Sequence, residues 1–275
     1  MRLLVFGKTG QVARALQRLA PEARFLGREE ADLMHPAASA AAITASDAEV
    51  VINAAAWTAV DEAETEEAAA TVANGDAPAA MARAAAAKGV PFLHISTDYV
   101  FDGAGDLPFT PDHPTNPQNA YGRSKLAGEI GVGAAGGRHL ILRSSWIVSA
   151  QGSNFLTTML RLGAARDSLD IVADQIGGPT PATDLARTLI LLAGEMLAGA
   201  DGGTYHYAGA PDTSWADFAR AIMTGAGLGC RINDIAASDY PTAARRPLNS
   251  RLDCRGLQAD FGIHRPDWRA ELKHI

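Results

Sequence analysis

The chain has 275 residues, 47% hydrophobic and 20% charged, with a formal net charge of −7. That length admits one large α/β domain or two unequal ones, and the acidic balance argues against nucleic-acid backbone binding, which wants clustered Lys and Arg. Alanine supplies 55 residues. It buries little area and favours helix, so the core rests on fewer Val, Leu, Ile and Phe.

Leu3-Leu4-Val5-Phe6 reads as a buried strand, and Gln11 to Leu19 as the helix after it. Between them Gly7-Lys8-Thr9-Gly10-Gln11-Val12-Ala13 has Gly-x-x-Gly-x-x-Ala spacing. Gly7 suits a tight turn, Gly10 lets the backbone approach a pyrophosphate, and Ala13 lets the helix sit near the sheet. Backbone N–H groups at the helix start then face the phosphates. A plain turn would use the same glycines, but this one opens an alternating βα pattern. Lys8-Thr9 lacks the spacing of a Walker motif. The second strand ends Phe25-Leu26-Gly27-Arg28, with no acid at the tip where an NAD-preferring site would place one. Arg28 either pairs with a 2′-phosphate, which favours NADPH over NADH, or is a surface Arg beside Glu29 and Glu30. Asp32 follows within reach of the adenosine half.

Val50-Val51-Ile52 is the next strand, followed by predicted helices at Asp61 to Thr71 and Pro78 to Lys88. The strand from Pro91 to Ile95 leads into Ser96-Thr97-Asp98, so hydroxyls lie past a strand's carboxyl end, where open α/β sheets bind ligands. Thr97 is there to hydrogen-bond a substrate carbonyl or the Tyr121 hydroxyl; a turn or cap would use it too. The helix from Tyr121 to Ile130 sets Tyr121 and Lys125 at i and i+4, on one face. A phenol titrates near 10, and a nearby cation favours its ionised form. Tyr121 can thus pass a proton to a carbonyl oxygen while a hydride arrives at the carbon, with Lys125 supporting it and binding a nicotinamide ribose.

After the strand Leu140-Ile141-Leu142 the pattern loosens. Pro and Gly cluster at 177–181 and 205–212, and amphipathic helices are predicted at Thr183 to Met196 and Ser214 to Met223. The strand–helix rhythm predicts a doubly wound parallel sheet covered on both faces, with a smaller lobe packed closely on it. Cys230 and Cys254 have no ligand-like spacing, which predicts reduced, buried thiols. No apolar run approaches the roughly 20 residues of a membrane span, and no signal peptide is expected. A cytoplasmic protein without membrane or nucleic-acid partners is the expectation. No Gly-x-Ser-x-Gly elbow or His-Glu-x-x-His helix supports a hydrolase.

Taken in order, these motifs resemble the extended short-chain dehydrogenase/reductase superfamily and, within it, the dTDP-4-dehydrorhamnose reductases. The matching stretches are 6–12, 53–61, 96–101, 121–129, 143–146, 152–155, 174–180 and 245–252. The resemblance implies a Rossmann-like NAD(P)-binding domain over 1–148, with segments around 164–210 returning to it. Residues 149–275 then form mainly the substrate-binding lobe, interleaved with the first. It implies NADPH-dependent reduction of the 4-keto group of dTDP-4-dehydro-β-L-rhamnose to dTDP-L-rhamnose, which suggests a role in polysaccharide synthesis. Thr97, Tyr121 and Lys125 would be catalytic. Gly7, Gly10, Gln11, Val12, Ala54, Ala55, Ala56 and Thr58 would hold the cofactor, with Asn53 flanking them. Trp146, Asn154, Gln175, Arg245 and Arg246 would hold the dTDP-sugar, and Arg28, Lys125, Arg245 and Arg246 would make a local cationic pocket. Two alternatives are another nucleotide-sugar 4-ketoreductase and a non-catalytic cofactor-binding regulatory subunit; intact Thr97, Tyr121 and Lys125 argue against the second. Ala15 stands where some members carry a glutamate that joins a magnesium-bridged dimer. That departure predicts no metal site and a monomer or weak homodimer.

Overall fold

The computed structural model describes residues 1–274. Its first half runs β1 (Leu3–Phe6), α1 (Gln11–Leu19), β2 (Arg24–Leu26), α2 (Pro36–Ala45), β3 (Val50–Asn53), α3 (Glu67–Thr71), α4 (Ala77–Lys88), β4 (Phe92–Thr97), α5 (Ala120–Gly133) and β5 (His139–Ser144). The second half runs β6 (Ile147–Val148), α6 (Phe155–Gly163), β7 (Ser168–Val172), β8 (Ile176–Gly177), β9 (Thr180–Pro181), α7 (Ala182–Ala198) and β10 (Gly202–His206). It continues with β11 (Thr213–Ser214), α8 (Trp215–Gly225), β12 (Arg231–Ile235), β13 (Asn249–Ser250) and α9 (Arg255–Phe261).

Six strands form one parallel sheet in the order β10-β5-β4-β3-β1-β2. Successive strand side chains point to opposite faces, and both faces here are covered. Leu3, Val5, Val50 and Ile52 pack with the α1 and α7 side chains, whereas Leu4, Phe6, Val51 and Phe92 pack with α2 and α4. This is why the strands read as unbroken apolar runs. Alanines on the helices, such as Ala13 and Ala15 of α1 and Ala77 and Ala85 of α4, are fully buried. Ala15, the position compared above with a metal-bridging glutamate, is among these buried alanines. Beyond the sheet, β7 pairs with β12, and α6, α8 and Trp268 enclose a separate apolar cluster. Cys230 and Cys254 are free and buried.

In the first half of the chain, two segments depart from the sequence expectation. Helix α2 was not anticipated: Pro36 opens it, but the residues after it, alanines with Ser39, Ile43 and Thr44, carry no apolar stripe to signal it. The helix expected over 61–71 is instead a three-ten turn at Glu62–Glu64 and then α3, which runs through a π turn at Val72–Asp76 into α4. The π turn lets Asn74 face inward, as described below.

From β1 the chain passes to β2 on one side, while β3 pairs with β1 on the other. Connections that diverge from adjacent strands leave a crevice beyond their carboxyl ends.

Candidate active site

That crevice is a cleft of about 890 Å³. Its walls include Gly7, Gly10, Gln11 and Val12 from the first turn, Arg28 and Asp32 after β2, and Ala54, Ala55, Ala56 and Thr58 after β3. Thr97, Tyr121 and Lys125 close its floor, and Trp146 stands opposite. Residues far apart in the chain thus meet in one space.

The first turn is built as its glycines suggest. Gly7 has φ +115°, and its N–H donates to Leu26 O at 2.8 Å. A Cβ on Gly7 would lie 3.2 Å from Ala54 O and 3.4 Å from Ala13 Cβ, so strand and helix approach as closely as small residues permit. A Cβ on Gly10 would meet nothing within 4 Å. That side of the turn is open at the start of α1, where backbone N–H groups have no intrahelical acceptor. Among the buried polar atoms along the cleft, Gln11 Oε1, Ser96 Oγ and Ser144 Oγ lack a hydrogen-bond partner among the described residues. Buried polar groups are nearly always paired, so these atoms fit a polar dinucleotide laid across the strand ends.

At the tip of β2, Lys8 is bonded to Glu30 and lies 3.5 Å from Glu29. The hydrogen bond to Glu30 holds the Lys8 ammonium above its ordinary range. Arg28 is exposed on the cleft wall and makes no ion pair among the described residues. The neighbouring acids are thus occupied by another cation.

Tyr121 and Lys125 are carried by α5, which is seated by close packing. A Cβ on Gly122 would lie 2.2 Å from Tyr99 O, and one on Gly128 would lie 2.1 Å from Asn74 O in the π turn. Asn74 accepts Trp57 N–H at 2.8 Å and donates to Trp57 O and Ser124 Oγ, both at 3.0 Å. One buried amide thereby joins the loop after β3 to α5. On the far side, Glu129 of α5 accepts three hydrogen bonds from Arg143 of β5 at 2.7–3.2 Å. Tyr99 meets Tyr121 edge-on with ring centroids 5.6 Å apart.

Burial pushes the Tyr121 phenol well above its usual range, partly offset by a hydrogen bond with Thr97. Thr97 Oγ1 accepts Tyr99 N–H at 3.2 Å and donates to Asp98 Oδ1 at 3.1 Å. Asp98 is buried, which brings its carboxyl up to about 7. Lys125 is buried as well, and desolvation lowers its ammonium to about 8. Its Nζ donates to Ile95 O at 2.8 Å and lies 3.2 Å from His94 Nε2. The lysine is therefore anchored to β4.

Trp146 adopts φ +48°, a left-handed conformation that a bulky side chain occupies only under constraint. Its ring stacks on Trp215 with centroids 3.6 Å apart and planes at 13°, and both rings line the cleft. A Cβ on Gly177 would come within 2.8 Å of the Trp146 ring, so that glycine is part of the seat.

Four predicted substrate residues do not reach the cleft wall. Asn154 caps α6: Oδ1 accepts Thr157 N–H, and Nδ2 donates to Ser149 O and Gln151 O. Gln175 lies in the turn before β8. Arg245 donates to Gln118 Oε1 at 3.3 Å, and its carbonyl accepts Asn119 Nδ2 at 2.8 Å. Arg246 pairs with Asp61 at 2.6 Å, behind Tyr99. Of the expected cationic group, Arg28 and Lys125 line the cleft, whereas Arg245 and Arg246 are engaged by Gln118 and Asp61. Sequence reasoning also missed Ser96, Ser144, Tyr99 and Trp215 on the walls and Asn74 behind them. None carries a spacing signal, because each is brought in by a different element.

Over residues 1–275 the chain matches the family described as RmlD substrate binding domain. It is similar to a dTDP-4-dehydrorhamnose reductase from Sinorhizobium fredii NGR234, 42% identical over 285 residues that cover 100% of this chain and 96% of the relative. Among solved structures, a dTDP-4-dehydrorhamnose reductase ortholog from Clostridium acetobutylicum aligns with TM-score 0.93 at 34% identity, covering 100% of this chain and 98% of that one. The dTDP-4-dehydrorhamnose reductase from Bacillus anthracis, solved in complex with NADP, aligns with TM-score 0.92 at 30% identity, covering 99% and 97%. Among the described residues, no helix is long and apolar enough to cross a membrane.

Proposed function

The chain belongs to the RmlD substrate binding domain family, and from that premise we propose that it is an NADPH-dependent oxidoreductase that converts dTDP-4-dehydro-β-L-rhamnose to dTDP-L-rhamnose. The observation that carries this reading is the convergence of the Gly7–Gly10 turn, Thr97, Tyr121 and Lys125 on one cleft. Gly10, Gln11 and Val12 hold the cofactor phosphates at the start of α1, Ala54 to Ala56 and Thr58 flank its path, and Ser96 and Ser144 supply polar partners. Arg28 receives the 2′-phosphate, and Asp32 faces the adenosine half. NADPH, when bound, supplies the hydride to the keto carbon.

Tyr121 is the general acid, giving its phenolic proton to the oxygen of the reacting carbonyl. Its raised pKa keeps that proton in place until the oxygen gains charge. Thr97, fixed between Tyr99 and Asp98, orients the reacting group. Lys125 supports the phenolate that proton transfer leaves. Trp146 and Trp215 offer a flat apolar wall to the sugar, and Arg246, paired with Asp61 beside Tyr99, is the candidate partner for the diphosphate. Alanine at position 15 carries no ligand atom, which supports a protein without a metal-bridged interface, a monomer or weak homodimer.

A spectrophotometric assay tests the reading directly. Purified protein should oxidise NADPH with dTDP-4-dehydro-β-L-rhamnose, more efficiently than NADH and than with other 4-keto sugar nucleotides. No oxidation with any of these substrates would overturn it.

A further inference from the structure

A buried hydrogen-bond chain runs beneath the cleft from β3 through β4 to α5, and its donor and acceptor roles are forced one after another. It starts at Asn53, 1% exposed, whose Oδ1 accepts the N–H of Ala55 at 3.1 Å. A backbone N–H only donates, so the atom facing it is the amide oxygen. The other terminal atom of Asn53, Nδ2, is then the one 3.1 Å from His94 Nδ1, and it donates. His94 Nδ1 therefore accepts. The ring is fully buried, and burial holds it neutral, so its single proton is on Nε2. Nε2 lies 3.2 Å from Lys125 Nζ. An N–H directed there needs a lone pair, which an ammonium does not have and a free amine does. The amine still donates to Ile95 O, 2.8 Å away.

We propose that His94 is a positioning residue whose tautomer, fixed by Asn53, favours the neutral amine of Lys125 and so sets the pH at which this lysine loses its charge. The role given to that charge rests on the reading of Tyr121 and Lys125 as the proton-handling pair. The surrounding groups do not reverse the balance. On α5, Glu129 favours the ammonium, but its carboxylate is taken by Arg143 of β5. Tyr121, one turn earlier, keeps its proton. On β4 and just past it, His94 is neutral and the charge of Asp98 acts on Tyr99 and Tyr121. From β3 comes only the neutral amide of Asn53. Burial of Lys125 acts in the same direction as the His94 N–H.

The test is NMR on protein without added cofactor. Long-range ¹H–¹⁵N spectra of histidine-labelled protein report the His94 tautomer, assigned with His94→Gln. The ¹³Cε signals of the four lysines report their titrations, with Lys125 assigned by Lys125→Arg. The expected result is the Nε2–H tautomer and a Lys125 midpoint at or below about 8. Asn53→Asp supplies a carboxylate that accepts Nδ1–H, which frees Nε2 to accept from an ammonium. That variant should switch the tautomer and raise the Lys125 midpoint by at least about one pH unit, or tenfold in proton affinity. An Nδ1–H tautomer in the wild type, a Lys125 midpoint near its ordinary 10.5, or an unchanged midpoint in a folded Asn53→Asp would overturn the proposal. The wild-type spectra decide even where the variant does not fold. They need no turnover, so failure of the reductase reading shows separately, as absence of NADPH oxidation.

Discussion

In the proposed reaction Tyr121 and Lys125 divide the chemistry by how burial acts on opposite charge types. Burial disfavours the charged form of each, raising the phenol and lowering the ammonium to about 8. Tyr121→Phe removes the acid without changing the cleft's shape. Turnover should fall about 10²–10⁴-fold while NADPH affinity, measured by fluorescence titration, stays within a few-fold. The pH profile follows from the lysine. Its cation is present below about 8 and lost above it, so kcat/KM should fall on the alkaline side with a limb near that pH; a flat profile to pH 10 would remove Lys125 from the reaction. Arg28→Ala tests cofactor choice. Loss of a hydrogen bond to a charged group, about 1.5–3 kcal/mol, should cut the NADPH-to-NADH efficiency ratio by about 10–100-fold.

Helix α5 shows what an element adds to its residues. Its i, i+4 placement of Tyr121 and Lys125 is legible locally, because helical geometry alone puts them on one face. Its seating is not. Gly122 and Gly128 look like weak points in a helix, yet each marks a place where another backbone passes within reach of a Cβ. Their partners, Tyr99 and the π turn at Asn74, come from other parts of the chain. A methyl at Gly128 cannot be accommodated by rotating a side chain, since the obstacle is a carbonyl oxygen. Gly128→Ala should therefore lower stability by about 1–3 kcal/mol, read as a fall in Tm, with kcat falling as α5 shifts. The misjudged helix at 61–71 has a related cause. The π turn gives up regular helical bonding so that Asn74 can bridge Trp57 and Ser124, a tertiary gain that local propensity does not register.

At the scale of the whole molecule the net charge is −7, and two of the four cations expected at the site are engaged by neighbours. Arg246 is held by Asp61 and Arg245 by Gln118. The buried Asp98 makes a separate, global prediction. Its folded-state pKa of about 7 lies above the ordinary 3.8, so the native state binds the proton more tightly than the unfolded chain. Its contribution to stability is therefore largest below about pH 4 and is lost as pH rises to about 7. The Tm of Asp98→Asn minus that of the wild type should become more positive across that range and then level off. By itself the sequence determined the parallel sheet, the glycine turn after β1, and Thr97 with the Tyr121–Lys125 face. Each is set by neighbours within a few residues: apolar runs, glycine spacing, helical period. Only the tertiary structure decided which distant side chains enter the cleft, which arginines are already paired, and that Lys125 is anchored to His94 and Ile95. Those outcomes depend on how closely separate elements approach, and burial then fixes the charge each group can carry.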